Sequence, residues 1–245
     1  MIMRRAILAM VLAGLAGTAA AQQSAPVPPP GSMPPDIAEP APPTEPAVEP
    51  LSGDRYQIGE IVVDKGAGLF TVPGVTLDLG GPQAAVEFLA TARGGAKNYE
   101  SLIEVTANAY EFNLACILIG LTPRPELQPD GHFDPNPIDG SPVAIRVSWT
   151  RDGQTVRFSA GRLISAGEGV RVIEAWVYTG SVIEPNGDYR AHVSGTLVGV
   201  VHDRDSVIHH RSGLALGNYG DVTARVGTIP EAGTPVTLTV MRLDD

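Results

Sequence analysis

Asn108-Ala109-Tyr110-Glu111-Phe112-Asn113-Leu114-Ala115-Cys116-Ile117-Leu118-Ile119-Gly120 is the stretch that sets the fold class, because it is the one convincing helix in a chain otherwise dominated by strand signals. Asn108 can accept from the amide of Glu111 while the Glu111 carboxylate reaches back to the Asn108 amide, the reciprocal pairing of a capping box. Phe112, Ala115, Leu118 and Ile119 recur at three- and four-residue spacing, and Gly120 suits the left-handed residue that ends a helix. The segment is apolar on nearly every side, so it is expected to pack across a sheet rather than lie in water.

Outward from that helix the pattern changes to strands. Residues 56–64 alternate into Ile61-Val62-Val63, and residues 64–68 read as a hairpin turn into 69–72. Residues 75–79 follow, broken by Gly80-Gly81-Pro82, and 86–92 and 101–106 flank Gly94-Gly95. Residues 143–149 alternate with period two, and Arg151-Asp152-Gly153-Gln154 turns the chain into 155–159. Residues 174–179, 189–202 and 236–243 complete the set. The predicted fold is α+β: a single β-rich domain, mainly antiparallel sheet, packed by one principal apolar helix over about residues 109–119. From residue 52 to 245 the chain is long enough to bury about 70% of its unfolded surface without a disulfide or a metal.

The first fifty residues speak to location. Arg4 and Arg5 precede an apolar run at 6–16, and Ala19-Ala20-Ala21 precedes Gln22. That layout is a secretory signal peptide over residues 1–21, with cleavage expected after Ala21. The apolar run is well short of the roughly 20 residues a spanning helix needs, so no membrane insertion is expected after cleavage. Residues 22–51 form a proline-rich leader, extended and solvated because proline fixes φ and donates no hydrogen bond. Of the 22 prolines in the chain, eleven lie between Ser24 and Pro50. The sole cysteine, Cys116, sits in an apolar run. A lipidated N-terminus and an internal disulfide are therefore both excluded. The expected location is periplasmic or secreted.

Removing residues 1–21 leaves 15 basic and 27 acidic side chains, a net charge of −12. Such a surface repels phosphate backbones and anionic lipid, so nucleic acid is not an expected partner. No nucleophile elbow, phosphate-cradling loop, His-Glu-x-x-His or Cys-x-x-Cys motif occurs. The expected partner is an envelope protein or a small polar ligand, with no cofactor, and an enzymatic role is the alternative.

The order of several motifs resembles the YdjY family of exported bacterial proteins. They run Glu60-Ile61-Val62-Val63-Asp64, Phe70-Thr71-Val72-Pro73-Gly74-Val75, Val86-Glu87-Phe88-Leu89-Ala90, then Gly94-Gly95-Ala96-Lys97-Asn98-Tyr99-Glu100-Ser101-Leu102, and a helix closing in Leu118-Ile119-Gly120-Leu121. The likeness continues through Val147-Ser148-Trp149, Trp176–Ser181, Gly195-Thr196-Leu197-Val198 and the closing Gly233-Thr234-Pro235-Val236, so it spans about residues 57–243. The resemblance implies no settled biochemical role. Some relatives are described as ferredoxin-like, but an iron–sulfur cluster needs about four thiolates and this chain has one. Where relatives often carry histidine before Glu-Ser, this chain has Tyr99.

Two clusters could carry chemistry. Lys97, Tyr99, Glu100 and Ser101 follow Gly94-Gly95 at a strand entrance and, with Trp176, are the candidate binding residues. A cation, a phenol and a carboxylate there could grip a polar ligand; equally, Lys97 and Glu100 could pair with Glu87, Arg93 or a backbone amide to fix the turn. His202, Asp203 and Asp205 are the candidate metal ligands, near His209 and His210. Against that reading, Asp203 and Asp205 suit the cap of a turn starting at Ser206. A cleft joining Tyr99 and Glu100 to His202 and Asp203 would make an enzymatic site. The run 130–140 lacks the register of a calcium loop and reads as a surface loop.

Overall fold

A computed structural model describes residues 46–81, 83–167, 172–214 and 219–244. The expected signal peptide and the leader up to residue 45 lie outside the described residues. Among the described residues, no helix is long and apolar enough to cross a membrane.

Among the described residues, fourteen strands and two α-helices are formed. The first hairpins are β1 (Val48–Pro50), β2 (Arg55–Ile58), β3 (Ile61–Asp64) and β4 (Leu69–Thr76); β5 (Phe88–Thr91) and β6 (Ser101–Val105) follow. Helix α1 (Ala109–Leu118) precedes β7 (Ser141–Arg151), β8 (Gln154–Ser159), β9 (Ile164–Ser165) and β10 (Trp176–Tyr178). Then come α2 (Arg190–Ser194), β11 (Thr196–Gly199), β12 (Ile208–His210), β13 (Thr223–Ala224) and β14 (Pro235–Arg242).

The sheet closes on itself. Its order β4-β14-β7-β10-β12-β11-β5-β6 returns to β4, because β4 also pairs with β6. Strand β4 does this by dividing one edge: its first half pairs with β3 and its last residues pair with β6. The division falls at Pro73-Gly74. A Cβ at Gly74 would lie 2.6 Å from the carbonyl oxygen of Glu104, so only glycine lets β6 approach. Two of the ring's pairings, β5 with β6 and β11 with β12, are parallel; the other six are antiparallel.

This corrects the predicted class. The domain is an eight-stranded closed barrel with about 13% helix, not a mainly antiparallel sheet packed by a helix. A small barrel fills its interior with inward-pointing side chains of its own strands, so it does not need a helix to cover a sheet face. Trp176, Tyr178, Phe70 and Phe88 are all buried to within 1%.

Helix α1 forms as its sequence requires. Asn108 Oδ1 accepts from the Glu111 amide at 3.0 Å, and Glu111 Oε2 accepts from the Asn108 amide at 2.9 Å. Gly120 follows at φ +92°. The helix joins walls that lie three strands apart: Phe112 meets Phe70 of β4 edge-on at 5.2 Å, and Asn113 Oδ1 accepts from the Tyr178 hydroxyl of β10 at 2.7 Å. Ile117 is left 41% exposed, so α1 is not enclosed on every side.

Three strand expectations change in detail. Residues 56–64 fold as the β2–β3 hairpin around Gly59-Glu60, not as one strand. Residues 189–202 open with helix α2 before β11 begins. Val48–Pro50, inside the expected leader, pair with β2 as an edge strand.

Candidate functional site

The parallel pairing of β5 and β6 builds the site. It sets Phe88 beside Ser101, so Glu87 and Glu100, each one residue earlier, enter the barrel rim side by side. The Glu87 amide donates to the Glu100 carbonyl at 3.0 Å. On the other flank β11 runs antiparallel to β5 and ends at this rim, where the Val200 amide donates to the Glu87 carbonyl at 2.8 Å. The chain leaving β11 therefore delivers Asp203 to the same place. A long-range backbone bond, Phe133 N–H to the His202 carbonyl at 3.0 Å, brings in His132 from the loop between α1 and β7.

Five ionisable groups meet there. Glu87 and Glu100 are 3% and 2% exposed. Lys97 Nζ donates to Glu100 Oε1 at 2.8 Å and to Tyr99 Oη at 3.2 Å. His132 Nε2 lies 3.1 Å from Glu87 Oε2, and its Nδ1 lies 4.0 Å from Asp203 Oδ1. Asp203 Oδ2 accepts from Ser206 Oγ at 3.1 Å and from the Asp205 amide and Thr196 Oγ1, both at 3.3 Å. Glu87 Oε1 is buried and has no hydrogen-bond partner among the described residues.

The charges shift one another. The hydrogen bond from Glu87 raises His132 above its ordinary value, against a smaller opposing effect of burial, and the Asp203 carboxylate adds to the rise. Partial burial alone would lower Lys97, but its bonds to Glu100 and Tyr99 hold the ammonium well above its ordinary value. Burial raises Asp203, as does the neighbouring Asp205 carboxylate. Lys97 is thus kept as a cation, and both Lys97 and His132 are paired with largely buried carboxylates. Tyr99 and Tyr219 stand beside them, 61% and 66% exposed, as open aromatic surface.

Of the residues singled out from sequence, Lys97, Tyr99, Glu100 and Asp203 come together. Lys97 and Glu100 pair with each other; Arg93 instead meets Glu60 at 3.4 Å on the surface. Ser101 is fully buried and donates to the Lys97 carbonyl at 2.6 Å, which fixes the turn. Trp176 lies in β10, 1% exposed, with its indole donating to Glu174. The three candidate metal ligands serve different partners. The His202 ring is spent on the carbonyls of Asp134, His210 and Arg211, Asp203 holds the turn at Ser206, and Asp205 pairs with Arg190. Among the described residues, no three His, Cys, Asp or Glu side chains form a metal-holding group. His132 was not foreseen, since it lies in a run that reads as surface loop.

These observations define a closed β-barrel whose rim carries a carboxylate–imidazole cluster with a half-buried lysine. The model of the YdjY domain family matches residues 61–241, most of the described chain, and the protein belongs to that family. No curated protein matches the chain, and no solved structure does.

Proposed function

We propose that the protein is an exported, non-catalytic binding module that takes a small polar ligand rich in hydrogen-bond donors at the Glu87–Glu100–His132–Asp203 rim. The observation that carries this reading is Glu87 Oε1, a buried carboxylate oxygen without a donor. Leaving such an atom unpaired costs about 1–3 kcal/mol or more, and a ligand hydroxyl or ammonium group would recover it. Two exposed tyrosine rings beside the cluster suit the flat face of a sugar-like molecule. A binding role also fits Lys97, whose raised ammonium is a poor base at neutral pH. The signal-like N-terminus supports placing this module in the cell envelope.

The test is a thermal-shift comparison of glucosamine, glucose and gluconate, which share a carbon skeleton and differ in charge. Glucosamine is expected to stabilise most and gluconate least, by several degrees at about 100 times Kd. Glu87→Gln keeps the shape and removes the charge, so it should erase the preference for the amine. Equal shifts from all three compounds, or a preference for gluconate, would sink this reading.

A further inference from the structure

Between the end of β8 and the short β9–β13 pair lies a cavity of about 410 Å³ that shares no residue with the carboxylate rim. That volume lies in the range of small-molecule sites, roughly 300–1,000 Å³. Its lining includes Ser159, Arg162, Glu174, Arg225 and Thr228.

Arg225 is fixed at two points. Its amide donates to the Leu163 carbonyl at 2.8 Å, and Nη2 donates to the Ile164 carbonyl at 3.0 Å. Yet its Nε is buried and has no hydrogen-bond partner among the described residues. A guanidinium N–H held in place without an acceptor is suited to a carboxylate, which matches the planar fork. Two further guanidiniums are close by. Arg162 stacks over Phe158 at 5.3 Å, and Arg151 donates to the Thr228 carbonyl at 3.4 Å. This gathering of positive charge stands out in a chain of net charge −10.

The cavity is not uniformly cationic. Glu174 Oε2 accepts from the Trp176 indole at 3.0 Å, which orients the carboxylate. Its Oε1 lies beside Gly161, where a Cβ would come within 2.8 Å of it, and the residue is exposed. A fixed guanidinium and an oriented carboxylate on one small cavity that Ser159 and Thr228 also line complement a zwitterion.

We infer that this cavity binds a small amino-acid-like zwitterion, its carboxylate on Arg225 and Arg162 and its ammonium on Glu174. The chain has two tryptophans, and the Trp176 indole reports directly on Glu174. In a ¹⁵N-labelled protein the Trp176 indole resonance is followed during titration with L-leucine, 4-methylpentanoate and isopentylamine, which share one side chain. Because Trp149 stacks on Phe158, over which Arg162 lies, far-UV circular dichroism serves as the reference for an intact fold. L-leucine should bind most tightly, 4-methylpentanoate more weakly and isopentylamine weakest. Arg225→Gln should weaken both carboxylates by about tenfold or more, and Glu174→Gln should remove the advantage of L-leucine over 4-methylpentanoate. If Arg225→Gln also disturbs the circular dichroism, Arg225→Lys is read instead, since it keeps the charge and deletes the Nε–H. Three results would each overturn the inference: no saturable shift of Trp176 up to about 10 mM ligand, isopentylamine binding as well as L-leucine, or undiminished leucine binding in the Arg225 variant.

Discussion

His132 has a carboxylate near each ring nitrogen, and that makes it the pH-sensitive residue of the rim. Its folded pKa is raised above the ordinary 6.5, with the Glu87 hydrogen bond as the main cause. A raised pKa contributes stability that is complete below the unfolded value and is lost as pH climbs through the folded one. The side chain is 39% exposed, so solvent screening holds the contribution to about 1 kcal/mol or less. His132→Gln should therefore cost up to that amount in urea unfolding at about pH 5.5 and almost nothing at about pH 8.5. A deficit that stays constant or grows toward alkaline pH would rule out the carboxylate clamp. At this scale the sequence was half legible. Lys97, Glu100 and Asp203 stand out as charged groups beside turns, and Glu87 interrupts an apolar strand. His132 does not stand out, because only the backbone bond from Phe133 to His202, far apart in sequence, carries it to the rim.

Among the elements, α1 was readable from local chemistry alone, since its capping box and its terminal glycine both act within a few residues. Helix α2 was not, because its five residues sit in a run that alternates like a strand. Its end at Gly195 matters for the site. Gly195 has φ +77°, and a Cβ there would lie 2.5 Å from the Cα of Gly95, on the turn that presents Lys97. Gly233 has nearly the same φ, +79°, but nothing within 4 Å. Substituting alanine at either position incurs the left-handed penalty of about 1–3 kcal/mol. Only Gly195→Ala also forces the Lys97 turn away from α2. Thermal unfolding should thus show Gly195→Ala clearly less stable than Gly233→Ala, with glucosamine stabilisation lost in the first and kept in the second. Equal effects of the two substitutions would mean that the close approach does not hold the site.

For the whole molecule, alternation along a strand says which face is buried but not which strand lies beside it. Ring closure depends on two parallel pairings and on β4 sharing an edge between β3 and β6, all of them long-range choices. Closure also places His209 inside β12, paired with Val177 on one side and Gly199 on the other. The ring is fully buried, and among the described residues neither of its nitrogens has a hydrogen-bond partner. Burial, with a smaller effect of His202, lowers its pKa from 6.5 to about 3. The unfolded chain therefore takes up this proton before the folded one does. Stability is complete above about pH 6.5 and falls as acid is added down to about pH 3, by roughly 3–5 kcal/mol at most. His210, lowered mainly by its own burial, acts in the same direction. His132 does not interfere, since below about pH 6 it is charged in both states and its contribution is constant. His209→Met has similar bulk and no proton to take up. It should unfold in acid less steeply than the parent, with the difference in stability between the two chains narrowing or reversing from about pH 7 to about pH 4. Parallel stability curves for the two chains over that range would show that His209 does not set the acid limit of the barrel.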